Sequence, residues 1–443
     1  MNKVAKNASW IIVCRIVQSI LNVVVGMVTA RYLGPSNYGI ITYSASIVAF
    51  IVPVVQLGLN AVLVQEFIDN PEKTGQTIGT ATMLSTASSF LGVIGVWLFT
   101  SIVNRGEVDT IIVSIIYSIS MFFQMTEMIQ YWYQAKLLSK YVSIISLLSR
   151  FIVSVYKIYI VIAGKNIYWF AVVNSLDYLL ISVGLFIIYF QKGGSKLEIS
   201  TSRAKEMLSK SKHFILSGMM VSVFAHTDKI MLKIMLGDAV SGYYSVAISC
   251  ATMSSFVFAA IIDSFRPVIF ENKKYDEYAY KKNIIRMYSI IIYMALIQSV
   301  VLTIFANPIV NLLYGSEYLP AKDILKIITW YSTFSYLGAA RTIWFLAEGK
   351  QKFVWVTNLI GAIANVVGNL VLIPLFGAAG AAIASVCTQI LTNFVINFFI
   401  DSIRENGMWM ISAFNPKIIY DILKYIRPGK KSEAIVMVER GSK

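Results

Sequence analysis

The chain has 443 residues, of which 57% are hydrophobic and only 14% charged, and its formal net charge is +15. Its mean hydropathy is +0.68. A soluble chain could not bury this much apolar surface, so the composition excludes a soluble enzyme or binding module and indicates a membrane protein. The three cysteines are far apart and lack CxxC or Cys/His ligand spacing, so we expect them to be packing residues.

Apolar segments long enough to cross a bilayer, about 20 residues each, recur along the whole chain. The first six predicted spans are Ala8–Ala30, Ile40–Val64, Thr77–Val103, Thr110–Gln130, Val142–Ala163 and Ile167–Phe190. The second six are Phe214–Leu236, Gly242–Ile269, Ile284–Ala306, Ile324–Leu346, Phe353–Phe376 and Ala379–Ile400. The sequence therefore predicts an all-α integral membrane protein with about twelve transmembrane helices.

Lysine and arginine are distributed unevenly over the predicted loops, and this asymmetry predicts that both termini are cytoplasmic. The side that would face away from the cytoplasm receives little more than Arg31, Arg105, Lys165 and Lys322. Basic residues at cytoplasmic helix ends also account for the positive net charge, so we expect membrane lipids and no nucleic acid as partners.

The two halves share residues at corresponding helix ends. An offset of about 203 aligns Leu33-Gly34 with Leu236-Gly237 and Gly39 with Gly242, and one of about 212 aligns Ala135 with Ala347 and Lys140 with Lys352. Six helices per half give both halves the same orientation, with a pseudo-twofold axis along the membrane normal. We predict an N-terminal half (1–200), a C-terminal half (201–401) and a central lumen between them.

The tail (402–443) is less apolar and has two readings. A run from Ile418 to Ile426 places its apolar residues on one helical face, which favours an amphipathic helix on the cytoplasmic membrane surface. A partly ordered tail accounts for the same sequence.

Polar residues inside the predicted spans fall on single helical faces. On the first helix Arg15, Gln18 and Asn22 share one face, and on the fifth Arg150 and Lys157 do so. Burying such groups in hydrocarbon is costly, so we expect the cations to line the hydrated lumen. For neutral residues, hydrogen bonding between helices is an equally good explanation.

Further ionisable residues in other spans predict charge pairing or ion coupling: Glu127, Asp177, His226, Asp228 and Lys229. The tenth span contains one more cation, Arg341. A carboxylate near mid-membrane such as Asp228 pairs with a lumen cation, the simpler reading, or titrates and couples transport to H⁺ or Na⁺. The chain lacks a phosphate-binding loop, HExxH and an acidic metal cluster, so we predict no catalytic site, no metal site and no cofactor beyond such a coupling ion.

Several loop sequences carry a family resemblance over nearly the whole chain. They are ARYLGPSNYG at 30–39, DKIML at 228–232, GYYSVA at 242–247, LYGSEY at 313–318, EGK at 348–350 and the run from Asn365 to Ala384. Together with the two six-helix halves they resemble the Wzx-type O-antigen and capsule repeat-unit flippases of the multidrug/oligosaccharidyl-lipid/polysaccharide exporter superfamily. The motifs are specific in combination and order, and they indicate the superfamily better than the substrate.

The resemblance implies a flippase of the bacterial cytoplasmic (inner) membrane. It would move an undecaprenyl-pyrophosphate-linked oligosaccharide to the outer leaflet for surface polysaccharide synthesis, by alternating access through a cationic lumen. A polysaccharide polymerase and a chain-length regulator are its implied partners. On this reading Arg15, Gln18, Asn22, Arg150, Lys157 and Arg341 bind substrate, while the second half couples the movement.

Two rivals stay open. A cation-coupled multidrug exporter of the same superfamily would share the architecture, although a cationic lumen suits an anionic substrate better. A membrane polysaccharide polymerase is less favoured, because the longest loop on the outer side, from Asn307 to Asp323, is short and contains no histidine.

Overall fold

The computed structural model describes the backbone of residues 3–426 and the side chains of residues 13–421 other than Met125 and Glu127. The described part contains helices and no strands. The helices of the first half are α1 (Lys3–Val55), α2 (Leu63–Asp69), α3 (Thr74–Val103), α4 (Val108–Ser118), α5 (Ser120–Thr126), α6 (Gln130–Ala135), α7 (Ser139–Ile162) and α8 (Ile167–Gln191).

The second half begins with its longest helix and ends with two short helices that follow the last predicted span. Its helices are α9 (Thr201–Leu236), α10 (Asp238–Thr252), α11 (Ser255–Tyr275), α12 (Glu277–Ile304), α13 (Ala306–Tyr314), α14 (Ala321–Ala347), α15 (Lys352–Phe376), α16 (Ala378–Asn393), α17 (Asp401–Ala413) and α18 (Pro416–Ile426). α18 contains the predicted amphipathic run, whereas tail residues 427–443 lie outside the described range.

The predicted number of spans is consistent with these helices. Among the described residues, eight helices are long and apolar enough to cross a membrane, and α10 with α11 forms a further span bent by 41°. α1 contains two spans because it bends at Gly34, while α4 with α5 and the less apolar α14 fill the remaining predicted positions. The all-α membrane architecture predicted from sequence is confirmed.

Some predicted boundaries were wrong. The second span was predicted to reach Val64, but the helix ends at Val55, because Leu57 and Gly58 adopt left-handed backbone conformations that a helix cannot contain. The predicted continuous fourth span is divided between α4 and α5. The helix of the seventh predicted span, α9, begins at Thr201, well before the predicted Phe214, since hydropathy detects only the apolar part of a helix.

Equivalent glycines interrupt the chain in both halves. Gly34 has φ 70° and ψ 169°, and Gly237 has φ 92° and ψ 178°. Residues with a side chain rarely adopt such a φ, so glycine is required at both positions. The offset of about 203 therefore aligns backbone conformation as well as sequence.

A second repeated feature ends the helices that precede α7 and α15. Leu138 N–H donates to the Tyr133 carbonyl at 2.7 Å, and Lys350 N–H donates to the Phe345 carbonyl at 2.8 Å. In both turns the residue before the donor has positive φ, as in a Schellman C-cap. That residue is Gly349 in the second half but Leu137 in the first.

Two buried cores lie mainly one in each half. In the first half the core joins α1, α3, α6 and α8, and in the second it joins α11, α12, α14 and α17. We call the end of the molecule that carries Lys136, Lys192 and Lys350 the basic end, and the end that carries Gly34 and Gly237 the opposite end.

Contacts between the halves are close at the opposite end. A Cβ on Gly39 would lie 1.9 Å from the Asp238 carbonyl oxygen, and a Cβ on Gly242 would lie 2.1 Å from that of Pro35. Pro35 and Asp238 are themselves equivalent under the offset of about 203, so the two contacts are reciprocal. This is the geometry of a twofold crossing, here between the second segment of α1 and α10.

Candidate substrate lumen

The polar residues of α1 lie opposite its exposed apolar side chains. At 100° per residue, Arg15, Gln18 and Asn22 lie within about 60° of one another. Val17 and Ile20, which are exposed, lie on the other side of the helix. Arg15 and Asn22 are also exposed, so the polar face borders open space. We take this space as the candidate lumen.

The polar stripe of α7 has the same arrangement. Arg150 and Lys157 are two turns apart on one face, and the exposed Val155 lies on the opposite face. The two stripes are adjacent, because Gln18 Nε2 donates to the Ser143 carbonyl at 3.5 Å. This contact places the polar face of α1 beside the start of α7, seven residues before Arg150.

Arg150 is held by a buried carboxylate. Its Nη1 lies 2.8 Å from Asp177 Oδ2, and the Asp177 side chain is 2% exposed whereas that of Arg150 is 35% exposed. Ser149 Oγ donates to Asp177 Oδ1 at 2.7 Å. Asp177 is thus a pairing group that orients Arg150 and leaves part of the guanidinium open to the lumen.

Arg15 and Lys157 have no described carboxylate partner of their own. Within the described side chains, neither Arg15 nor Lys157 forms an ion pair. Among these three cations only Arg150 has a described carboxylate partner, Asp177, so together they carry a net positive charge. We call Arg15, Arg150 and Lys157 the cationic surface.

A neutral cavity of about 260 Å³ adjoins the α8 turn that carries Asp177. Asn174 and Tyr178, on either side of Asp177 in sequence, contribute to its wall, opposite an apolar wall formed by α1. Two further polar groups, Tyr117 and Gln124, complete the lining. Amides and phenols can donate and accept hydrogen bonds without adding charge.

Arg341 does not belong to the cationic surface. It is 4% exposed, and its guanidinium donates to the Thr392 carbonyl at 2.7 Å and to Asn393 and Asn397 side-chain oxygens at 3.2 and 3.3 Å. Its carbon Cζ lies 4.8 Å from the centre of the Phe345 ring. In this conformation neutral groups bind both terminal nitrogens of Arg341 inside the second half, while its buried Nε has no partner among the described residues. Arg341 is therefore not in its expected place in the lumen, because Thr392, Asn393 and Asn397 converge on it.

Asp228 is buried among neutral hydrogen-bond donors. Asn369 Nδ2 donates to Asp228 Oδ1 at 2.6 Å, and the hydroxyls of Tyr244 and Ser385 donate to Oδ2. Asn365 supports this network by donating to Ser385 Oγ at 3.3 Å. The partners come from α10, α15 and α16, and no described ion pair includes Asp228, so the lumen cation favoured as its partner is absent here.

The other expected coupling residues are not part of this network. Lys229 is one position along α9 from Asp228 and therefore about 100° around the helix. His226 lies one turn before Lys229, and its buried Nδ1 has no hydrogen-bond partner. The side chain of Glu127 lies outside the described residues.

Sequence reasoning missed one charged cluster at the opposite end. Lys233, whose side chain is 2% exposed, pairs with Glu107 of the first half and lies 2.7 Å from Asp238 Oδ1. Its Nζ also lies 5.7 Å from the centre of the Tyr43 ring. We call Lys233, Glu107 and Asp238 the end cluster. Glu107 is in a loop, so no helical periodicity connects it with Lys233.

Comparison with known proteins assigns the chain to a family. The polysaccharide biosynthesis protein family matches residues 4–273, more than half of the chain. The chain belongs to this family. An uncharacterized membrane protein of Methanocaldococcus jannaschii is 25% identical over 285 residues, which cover 60% of this chain and 55% of that protein. The family match includes all of the cationic surface.

Solved transporter structures share the fold at low sequence identity. The lipid II flippase MurJ, in an inward closed conformation, gives a TM-score of 0.67 at 13% identity, with 99% of this chain and 95% of that chain covered. An inward-facing multidrug resistance MATE family transporter of the MOP superfamily gives 0.64 at 12% identity, with 89% and 96% covered. This member of the polysaccharide biosynthesis family is therefore a membrane protein with a MATE- and MurJ-like transporter fold.

Proposed function

We propose that the protein is a flippase for an undecaprenyl-pyrophosphate-linked oligosaccharide repeat unit, used in O-antigen or capsule synthesis. The cationic surface carries the proposal. A pyrophosphate that leaves water needs positive charge and hydrogen-bond donors, and Arg150 offers a planar set of donors already oriented by Asp177. Arg15 and Lys157 supply charge that no described protein carboxylate neutralises.

The neutral cavity gives the uncharged part of the substrate a place beside the pyrophosphate. Asn174 and Gln124 can form hydrogen bonds with sugar hydroxyls. The isoprenoid tail would stay in the bilayer next to an opening between the halves. A substrate with anionic, polar and apolar parts thus matches three adjoining environments.

Asp228 is the proposed coupling residue. A carboxylate surrounded by hydroxyl and amide groups of three other helices, without a cationic partner, can exchange between a protonated and an ionised form or bind a small cation. We propose H⁺ or Na⁺ as the coupling ion. Binding or release of this ion at Asp228 would alter how α9 is held against α15 and α16.

The basic end is proposed to face the cytoplasm of a bacterial inner membrane, in agreement with the positive-inside rule. Substrate would then enter from the basic end, where its lipid-linked precursor is made. A polysaccharide polymerase on the other side, with a chain-length regulator, would consume the product.

The test replaces Arg150 and Lys157 by Ala, separately, in the native host at matched protein levels. We expect each variant to lower surface polysaccharide at least about tenfold, the effect of losing one charge-assisted hydrogen bond, and to raise the amount of lipid-linked repeat unit retained inside. Arg105→Ala is the matched control, because Arg105 is an exposed loop cation.

Normal surface polymer in every variant of the cationic surface would contradict the proposal. Unchanged polymer together with lost resistance to cationic dyes would instead support the multidrug-exporter alternative.

A further inference from the structure

We infer that a basic groove at the basic end, remote from the lumen, is a binding site for the headgroup of an anionic phospholipid. The groove has a volume of about 260 Å³ and lies between α12 and α18. Its lining combines cations with apolar side chains: Tyr278, Lys281, Lys282, Ile285, Arg286, Ile418 and Asp421. This inference is independent of the proposed transport function.

The cations are concentrated on one face of α12. Positions 278, 281, 282 and 285 follow the i, i+3, i+4, i+7 spacing of a single helical stripe, and Arg286 adjoins it. Lys281 and Arg286 are about 8 Å apart along the helix axis. This separation suits a single phosphodiester approached from several sides.

Little within the described chain neutralises these cations. None of the three forms a described ion pair, and the one carboxylate in the lining is Asp421. The ammonium groups of Lys281 and Lys282 lie 5.6 Å from the ring centres of Trp409 and Tyr278 respectively, which positions them without removing their charge. A net positive groove remains.

The apolar residues distinguish a lipid from a free anion. Ile285 and Ile418 place hydrocarbon next to the cations, and α12 continues from this point as an apolar span. A phosphate in the groove would therefore have its glycerol and acyl chains directed along apolar helix surface. Each nearby cation contributes about 1 kcal/mol to binding an anionic membrane lipid, equivalent to about fivefold in affinity.

The experiment measures phospholipid retention on the purified full chain by native mass spectrometry, after exchange with phosphatidylglycerol or phosphatidylcholine. We expect preferential retention of phosphatidylglycerol, weakened at least about fivefold in the triple variant Lys281→Ala, Lys282→Ala, Arg286→Ala. The matched control removes three exposed or half-exposed cations of the opposite end, Lys165, Lys322 and Lys326, and should retain the lipid as the wild type does.

Two further variants keep the test decisive. If the triple variant does not fold, the exposed Lys282→Ala alone should weaken retention by up to about fivefold. Asp421→Asn removes the carboxylate of the groove and should strengthen the retention of phosphatidylglycerol. Equal retention of both lipids by the wild type, or no loss in the lysine and arginine variants, would overturn the inference, as would displacement of phosphatidylglycerol by millimolar inorganic phosphate.

Discussion

The hydroxyl of Ser245 donates to the hydroxyl of Thr42 at 2.9 Å, and the offset of about 203 makes these two residues equivalent positions of the repeat. A contact between equivalent residues lies on the pseudo-twofold axis. The axis thus passes through the crossing of α1 and α10, one helical turn from Gly39 and Gly242. Under the proposed alternating access, opening at this end would separate this pair.

The glycine crossing leads to the first prediction. Gly39→Ala would place a Cβ 1.9 Å from the Asp238 carbonyl oxygen, so the halves must move apart. We expect a cost of about 1–3 kcal/mol to the conformation closed at the opposite end, and faster labelling of a Ser245→Cys reporter by a membrane-impermeant maleimide. In Gly26→Ala, where no atom lies within 4 Å of the new Cβ, labelling should stay at the wild-type rate.

The end cluster leads to a second prediction, on stability. Lys233→Ala leaves Glu107 and Asp238 without their cation, and we expect a loss of about 1–2 kcal/mol, reduced from the fully buried case because both carboxylates are partly exposed. Lys326→Ala, which breaks an exposed pair with Asp323, should cost less than about 0.5 kcal/mol. Thermal unfolding in detergent measures both, and equal midpoints for the two variants would contradict the prediction.

The third prediction concerns pH. Burial raises the pKa of the Glu107 carboxyl, but hydrogen bonds from Lys233, Thr110 and Asn104 lower it more, so it lies below its ordinary value of 4.5. A carboxyl with a lowered folded-state pKa stabilises the protein above the unfolded pKa, and this contribution is lost as pH falls through the folded-state pKa. The difference in unfolding midpoint between wild type and Glu107→Gln should therefore be present near neutral pH and shrink below pH 4.5. A difference that is constant across this range would show that the carboxylate charge is not the cause.

Asp228 leads to a fourth prediction, on coupling. Asp228→Asn removes the ionisable group while keeping a side chain of similar size, so we expect transport to become slow and independent of pH and Na⁺. Tyr244→Phe removes one donor from the same carboxylate, and should shift that dependence without abolishing it. An Asn variant that transports at the wild-type rate with unchanged ion dependence would exclude coupling through Asp228.

The fifth prediction compares the two Schellman turns. Leu137 is in the conformation that Gly349 adopts in the other half, and its side chain is 69% exposed, so little packing depends on it. Leu137→Gly should stabilise the protein by up to about 1 kcal/mol, whereas Gly349→Ala should destabilise it by about 1 kcal/mol. Opposite shifts of the unfolding midpoint are the expected result, and shifts of the same sign would contradict it.

Much of this architecture could be predicted from local sequence. Hydropathy located the spans, since the cost of exposing polar backbone and charge to lipid constrains every membrane helix in the same way. Periodicity also grouped Arg150 with Lys157 and Arg15 with Asn22, because residues three, four or seven apart share a helix face whatever lies opposite.

The groups that each polar helix face contacts were decided only by the tertiary structure. Sequence reasoning assigned both Arg341 and Arg150 to the lumen, yet Arg341 is surrounded by carbonyl and amide oxygens whereas the Arg150 side chain is 35% exposed. The same holds for Asp228, whose neutral donors come from helices up to 157 residues away in sequence. Hydropathy and helical period are properties of one helix, while the satisfaction of a buried charge depends on how several helices pack together.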